Sequence, residues 1–247
     1  CTTCPSAGSC SGGNGAAGNG QNINSGQTYF YTGGSGSFGS GINMNGGTLR
    51  VCGTLTLSSI NFNSGTIIIE SGGTLTINGS GTMYLNGNAS IYNRGQLTIN
   101  RNLAMQNSNN QLINCTSSAN ITMNGGSYTL ELNSSSSNFI NYGNADIHTL
   151  FIQSSASAGA VCLGTSSTMN LTNLNNNRTN GVNAPSGRAC IRYTSNAALN
   201  SNLSNTSNVV VCRASGATTS GGASFGSAAV TTGCTSCLVA LPIELLY

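Results

Sequence analysis

Charge is what this sequence has least of. Asp, Glu, Lys and Arg together make 4% of its 247 residues, against roughly 25% in an ordinary soluble domain. Lysine is absent. The cations are Arg50, Arg94, Arg101, Arg178, Arg188, Arg192 and Arg213, and the acids are Glu70, Glu131, Asp146 and Glu244. The net charge of +3 is scattered along the chain, which excludes the basic patch of a nucleic-acid binder. Tryptophan is also missing, and the eight Tyr and six Phe are dispersed, which weakens stacking on sugars. No apolar run approaches the roughly 18–20 residues of a membrane helix, so no transmembrane segment is expected. No stretch holds a helical period, and the abundant Asn, Ser, Thr and Gly disfavour helices. Solubility must come from these neutral residues, which suit turns and strands. So neutral a surface does little to keep copies apart.

What is present is a repeated phrase, Gly-Thr-apolar-x-apolar. It occurs at Gly47-Thr48-Leu49-Arg50-Val51, Gly53-Thr54-Leu55-Thr56-Leu57, Gly65-Thr66-Ile67-Ile68-Ile69, Gly73-Thr74-Leu75-Thr76-Ile77 and Gly81-Thr82-Met83-Tyr84-Leu85. A variant follows at Gly95-Gln96-Leu97-Thr98-Ile99. Each phrase reads as a turn followed by a strand of period two. One such strand cannot bury its apolar face alone, so the units must stack. Offsets of 20 from Gly53 to Gly73 and 22 from Gly73 to Gly95 give coils of about 20–22 residues, with three short strands per coil. The fold class expected is all-β: a parallel, right-handed β-helix solenoid stapled by disulfides. Seven to nine coils, spaced about 4.8 Å apart, would make a rod of roughly 35–45 Å.

Three segments are expected. Residues 1–40, rich in Gly and Ser, read as a disulfide-bonded N-terminal arm or cap. Residues 41–233 read as the solenoid, and residues 234–247 as a Cys-x-x-Cys pair followed by an apolar strand. The ten cysteines are Cys1, Cys4, Cys10, Cys52, Cys115, Cys162, Cys190, Cys212, Cys234 and Cys237. An even count in a chain of extracellular character allows five disulfides, whose pairing the spacing leaves open. The pairs Cys1/Cys4 and Cys234/Cys237 have zinc-ligand spacing, but an oxidising compartment favours disulfides. No metal and no cofactor is expected. With no signal peptide in the sequence, a processed secreted protein beginning at Cys1 is expected, and an N-terminal Cys also raises lipidation.

Other local patterns carry less. Asp146 and His148 are the one place where an acid meets the single His, and at i, i+2 they would share one face of a strand. A parallel β-helix resembles polysaccharide lyases and hydrolases, but such chemistry needs paired carboxylates or an acid–calcium set. No catalytic residue is therefore assigned. Gly34–Gly39 matches a dinucleotide fingerprint by letter, with no helix to follow it. Sequons such as Asn88-Ala89-Ser90 and Asn114-Cys115-Thr116 are frequent, as this composition dictates. Thr54/Thr56 and Thr74/Thr76 could form a flat array of the kind that binds ice, though β-propensity explains them.

The tail is the most apolar segment. Leu238, Val239, Leu241, Ile243, Leu245, Leu246 and Tyr247 make a strand that would cap its own solenoid or pair with a neighbouring copy. Within it, Leu241-Pro242-Ile243-Glu244-Leu245-Leu246-Tyr247 resembles the Leu-Pro-[Val/Ile]-Glu-Leu-Leu segment of bacterial type IX secretion cargo. In those proteins the segment often lies just before a C-terminal sorting domain. The resemblance implies export to the outer cell surface or the extracellular space of a bacterium, and says little about activity. The expected function is that of a secreted structural protein whose partners are copies of itself, stacked head to tail. The alternatives are an adhesin binding surface glycans through a β-helix face, and a polysaccharide-degrading enzyme.

Overall fold

The structure, a computed structural model, describes residues 1–107, 109–205 and 207–237. Among them are 23 strands, paired in parallel, and no helix. The chain winds as a three-sided solenoid. Face A begins with Gln21–Asn24, face B with Thr28–Tyr31 and face C with Ser35–Phe38, and later coils lay strands on these faces in turn, the last on face B being Val182–Asn183. Face C is the most regular. It runs from Ser35–Phe38 through Thr54–Leu57, Thr74–Ile77, Gln96–Ile99 and Asn120–Met123 to Val209–Arg213 and Ala229–Thr232. Between them lie the first halves of Asn144–Ile152, Thr168–Asn176 and Ala189–Leu199, whose second halves bend onto face A. Face C thus carries ten strands, one for each of about ten coils, rather than the seven to nine expected. The extra coils come from Gly/Ser-rich segments that hide their period. Ser35–Phe38 carries Gly36 where Thr54–Leu57 carries Leu55, yet the two strands pair in register.

The expected spacing holds where it was read. Thr54 pairs with Thr74 and Thr74 with Gln96. Elsewhere coil length varies, from 18 residues between Asn43 and Asn61 to 27 between Asn114 and Asn141. The variation falls in the turns, because strand length and register are held by the core. On face C the inward column is Leu55, Leu75, Leu97 and Ile121, continued by Ala145, Met169, Ile191 and Val211, all buried. Each buried Leu or Ile contributes about 1.5–3 kcal/mol relative to exposure.

Parallel in-register stacking also accounts for the missing charge. A residue on one coil sits about 4.8 Å from its equivalent on the next. Like charges in that position repel, whereas a side-chain amide is both donor and acceptor and can bond to its own kind. Such ladders recur: Asn43 donates to Asn22 at 2.8 Å, Asn61 to Asn43 at 2.7 Å, Asn63 to Asn45 at 3.0 Å and Asn100 to Asn78 at 2.8 Å. Asn88 and Asn109 both adopt positive φ, and their amides stack at 3.0 Å. One ladder lies inside. Asn93, Asn114 and Asn141 are fully buried on face B, in the column that holds Val51 and Ile69 on the two coils before Asn93. Their amides bond in sequence at 2.9 Å and also reach the carbonyls of Asn120, Asn144 and Thr168, each opening the face C strand of the next coil.

Candidate functional site

Of the 1–40 segment expected as arm or cap, residues 21–38 are the first coil itself. The residues before it run along the outside of the rod. Cys10 is bonded to Cys52, just past the second face B strand. Cys4 is bonded to Cys115, just past Gln111–Asn114, and Cys1 to Cys162 in Val161–Leu163. Between these staples the Gly8 N–H donates to Glu70 at 3.1 Å, and the Tyr142 hydroxyl donates to the Thr2 carbonyl at 3.2 Å. Contacts at residues 10, 8, 4, 2 and 1 therefore meet the second, third, fifth, sixth and seventh coils in order. An extended chain at about 3.3 Å per residue matches this climb: three residues from Cys4 to Cys1 span two coils. Glu70 is itself ion-paired to Arg50 and lies 3.7 Å from Arg94, so the densest charge cluster anchors the arm.

The arm covers an outward column on face B: Ile68, Tyr92, Ile113, Ile140 and Cys162, paired coil to coil. Ile113 is 0% exposed and Ile140 2%, although both point away from the core. Cys4 and Tyr142 pack against them. Burial raises the Tyr142 phenol above its ordinary pKa.

The C-terminal side repeats the device. After Ala229–Thr232 the chain turns back over face C, where Cys234 bonds to Cys212 and Cys237 to Cys190. With Val210 these cysteines form a second outward apolar cluster. None of the four cysteines in the two Cys-x-x-Cys pairs bonds within its own pair, and all ten cysteines are in disulfides. Thr235 and Ser236, held between Cys234 and Cys237, form one wall of a cavity of about 380 Å³. Its floor is face C, with Asn124, Asp146, Asn170 and Arg192. Asp146 pairs with Asn170 and Asn170 with Arg192 across three successive coils. This column departs from the neutral ladders: Thr98 and Thr122, on the two coils before Asp146, continue the Thr column. The Arg192 Nε is buried and has no hydrogen-bond partner.

The Asp146–His148 pair falls at the edge of this cavity. Asp146 lines it, while His148 sits where the strand bends onto face A and is hydrogen-bonded through Nδ1 to the Thr149 hydroxyl at 3.0 Å. Among the described residues the three carboxylates lie apart: Glu70 after face B, Glu131 on face A bonded to Gln153 at 2.8 Å, and Asp146 on face C. The Gly34–Gly39 run is a face C strand with its turns. Thr56, Thr76, Thr98 and Thr122 form one outward column of four coils, longer than the phrases alone suggested. Asn114 of the sequon at 114–116 is buried in the internal ladder and cannot carry a glycan. The apolar strand Leu238, Val239, Leu241, Ile243, Leu245, Leu246 and Tyr247, with the secretion-type motif inside it, lies outside the described residues.

The two ends of the rod differ. At the start, residues 14–17 pair beneath face B: Asn14 donates to Thr28 O at 2.7 Å and Ala17 to Phe30 O at 2.8 Å. Tyr31 meets Phe38 edge-on, with centroids 5.7 Å apart, as a plug below the core. Among the described residues, faces A and C end there in Gln21–Asn24 and Ser35–Phe38. At the far end the last strands are Thr218–Ser220 on face A and Ala229–Thr232 on face C. Val230 continues the core column of Val211 but is 47% exposed.

A scan of protein-family models and searches of curated proteins and of solved structures find no match to this chain.

Proposed function

We propose that this chain is a secreted structural protein that assembles head to tail into an extracellular filament or surface matrix. The observation that carries the reading is the pair of open ends. Among the described residues, faces A and C end at both ends in strands with a partner on one side only, and Val230 in the core column is 47% exposed. A second copy set on the same axis would continue both faces by parallel pairing and cover Val230. Natural edge strands are usually protected by Lys, Pro or inward charge. Thr218–Ser220 and Ala229–Thr232 carry none of these, and the chain has no Lys to offer. Five disulfides suit an oxidising compartment, and no helix among the described residues is long and apolar enough to cross a membrane. Export by the type IX route and strand donation by 238–247 belong to the same proposal, supported by the motif and the apolar pattern of the tail.

Electron microscopy and sedimentation of the full chain test it. The expected result is filaments or a ladder of oligomers that lengthen with concentration. A Val230→Lys variant, altered where the side chain is already half exposed, is expected to fold normally and remain monomeric. Monomers at every concentration, or unchanged assembly of Val230→Lys, would defeat the proposal. Deleting 238–247 separates end stacking from strand donation, since only the second needs the tail.

A further inference from the structure

We propose that the face C cavity at Asp146, Asn170 and Arg192 binds an acidic oligosaccharide. The ligand's carboxylate would lie on Arg192 and its hydroxyls on Asn170 and Asp146. Among the described residues the ion pairs are those of Glu70 with Arg50 and Arg94. Here two opposite charges stand in one column, two coils or about 10 Å apart, and no ion pair joins them. Arg192 holds a buried Nε–H without an acceptor, as Arg101 and Arg178 do, and here a polar cavity opens beside it with Asp146 and Asn170 in the same column. A guanidinium offers forked donors that match a carboxylate.

The rest of the lining selects the remainder of the ligand. Asn124, Asn170, Thr235 and Ser236 bring amides and hydroxyls, which suit a polyhydroxylated chain held by hydrogen bonds rather than by ring stacking. The long axis of the charged column follows the rod, so an extended ligand reads Arg192, Asn170 and Asp146 in turn. The wall is fixed: Cys190 lies two residues before Arg192 on its own strand, and Cys212 pairs with Arg192 on the next coil. The Thr235–Ser236 link, tied to both, is held beside Arg192 before any ligand binds, which lowers the ordering cost of binding.

The site is separate from the rod ends, so its test is separate from that of assembly. Oligogalacturonate and, as a neutral control, cello-oligosaccharide of equal length are titrated into the full chain by calorimetry at about 0.15 M salt. Oligogalacturonate is expected to bind at one site per chain and the neutral oligomer at least tenfold more weakly. Arg192→Gln is expected to reduce oligogalacturonate binding by tenfold or more, with unchanged circular dichroism and unchanged assembly. Asp146→Asn, which keeps an acceptor, is expected to reduce it only a few-fold. Equal binding of both oligomers, binding undiminished in Arg192→Gln, or no binding by the wild-type chain would each overturn the proposal.

Discussion

At the scale of single residues, the molecule turns on how a polar group behaves when repeated every coil. Asn114 shows the strongest case. It accepts from Asn93 and donates to Asn141 and to the carbonyls of Ala119 and Asn144, all without solvent. Asn114→Ala removes these partners together and leaves buried groups unsatisfied, so a loss of about 2–4 kcal/mol is expected in denaturant unfolding. The exposed ladder residue Asn63 has water as an alternative, and Asn63→Ala is expected to cost no more than about 0.5 kcal/mol. Tyr142 gives a pH prediction. Its folded pKa lies above the unfolded phenol value of about 10. The folded state therefore holds the proton more tightly. The contribution is fully present below pH ~10 and is lost as pH rises through the folded value. Phenolate absorbance is expected to show one tyrosine titrating late. Tyr142→Phe is expected to remove that late step and to weaken the pH dependence of stability above pH ~10.

At the scale of elements, the N-terminal arm is the part that does not belong to the repeat. It has no strand pairing of its own over residues 1–10, yet it touches five coils through three disulfides and two hydrogen bonds. Its effect is to bury an apolar column that would otherwise face water, and to tie coils that contact only their neighbours. Replacing Cys4 and Cys115 together by Ser removes the central staple. A loss of about 2–4 kcal/mol is expected for such a crosslink. Dye binding to exposed apolar surface is expected to rise as Ile113 and Ile140 are uncovered. Removing Cys10–Cys52 instead should leave the dye signal nearly unchanged, because that staple lies away from these two residues. Equal dye signals in the two variants would show that the arm does not cover the column by way of Cys4.

At the scale of the whole molecule, the described residues form a rod whose faces A and C end in strand edges, unlike a closed domain. Each coil is stabilised by the coil on either side, so the terminal coils are the weakest. The aromatic plug and the 14–17 segment offset this at one end on one face, while the far end leaves Val230 exposed. Hydrogen exchange is expected to be fastest in Thr218–Ser220 and Ala229–Thr232 for the isolated chain, and to slow there on assembly. Exchange that stays fast in assembled material would place the contact elsewhere.

The period of the core was legible in the sequence because parallel stacking forces it to be: Leu55, Leu75 and Leu97 must fall at coil spacing or the core opens. The same rule made the composition legible, since like residues stack and charge cannot. The outward coverings were half written. Ile67-Ile68-Ile69, Leu112-Ile113, Val161-Cys162-Leu163 and Val209-Val210-Val211-Cys212 break the alternation and mark strands buried on both sides. Nothing local says what lies above them. Which cysteine joins which, the path of the arm, the cavity walled by Thr235 and Ser236, and the ten coils in place of seven to nine were decided by tertiary structure. The reason is physical. Repetition along the chain fixes what stacks on what, because each position meets its own kind one coil later. A segment that crosses the coils meets a different residue at every step, and only the folded surface selects its course.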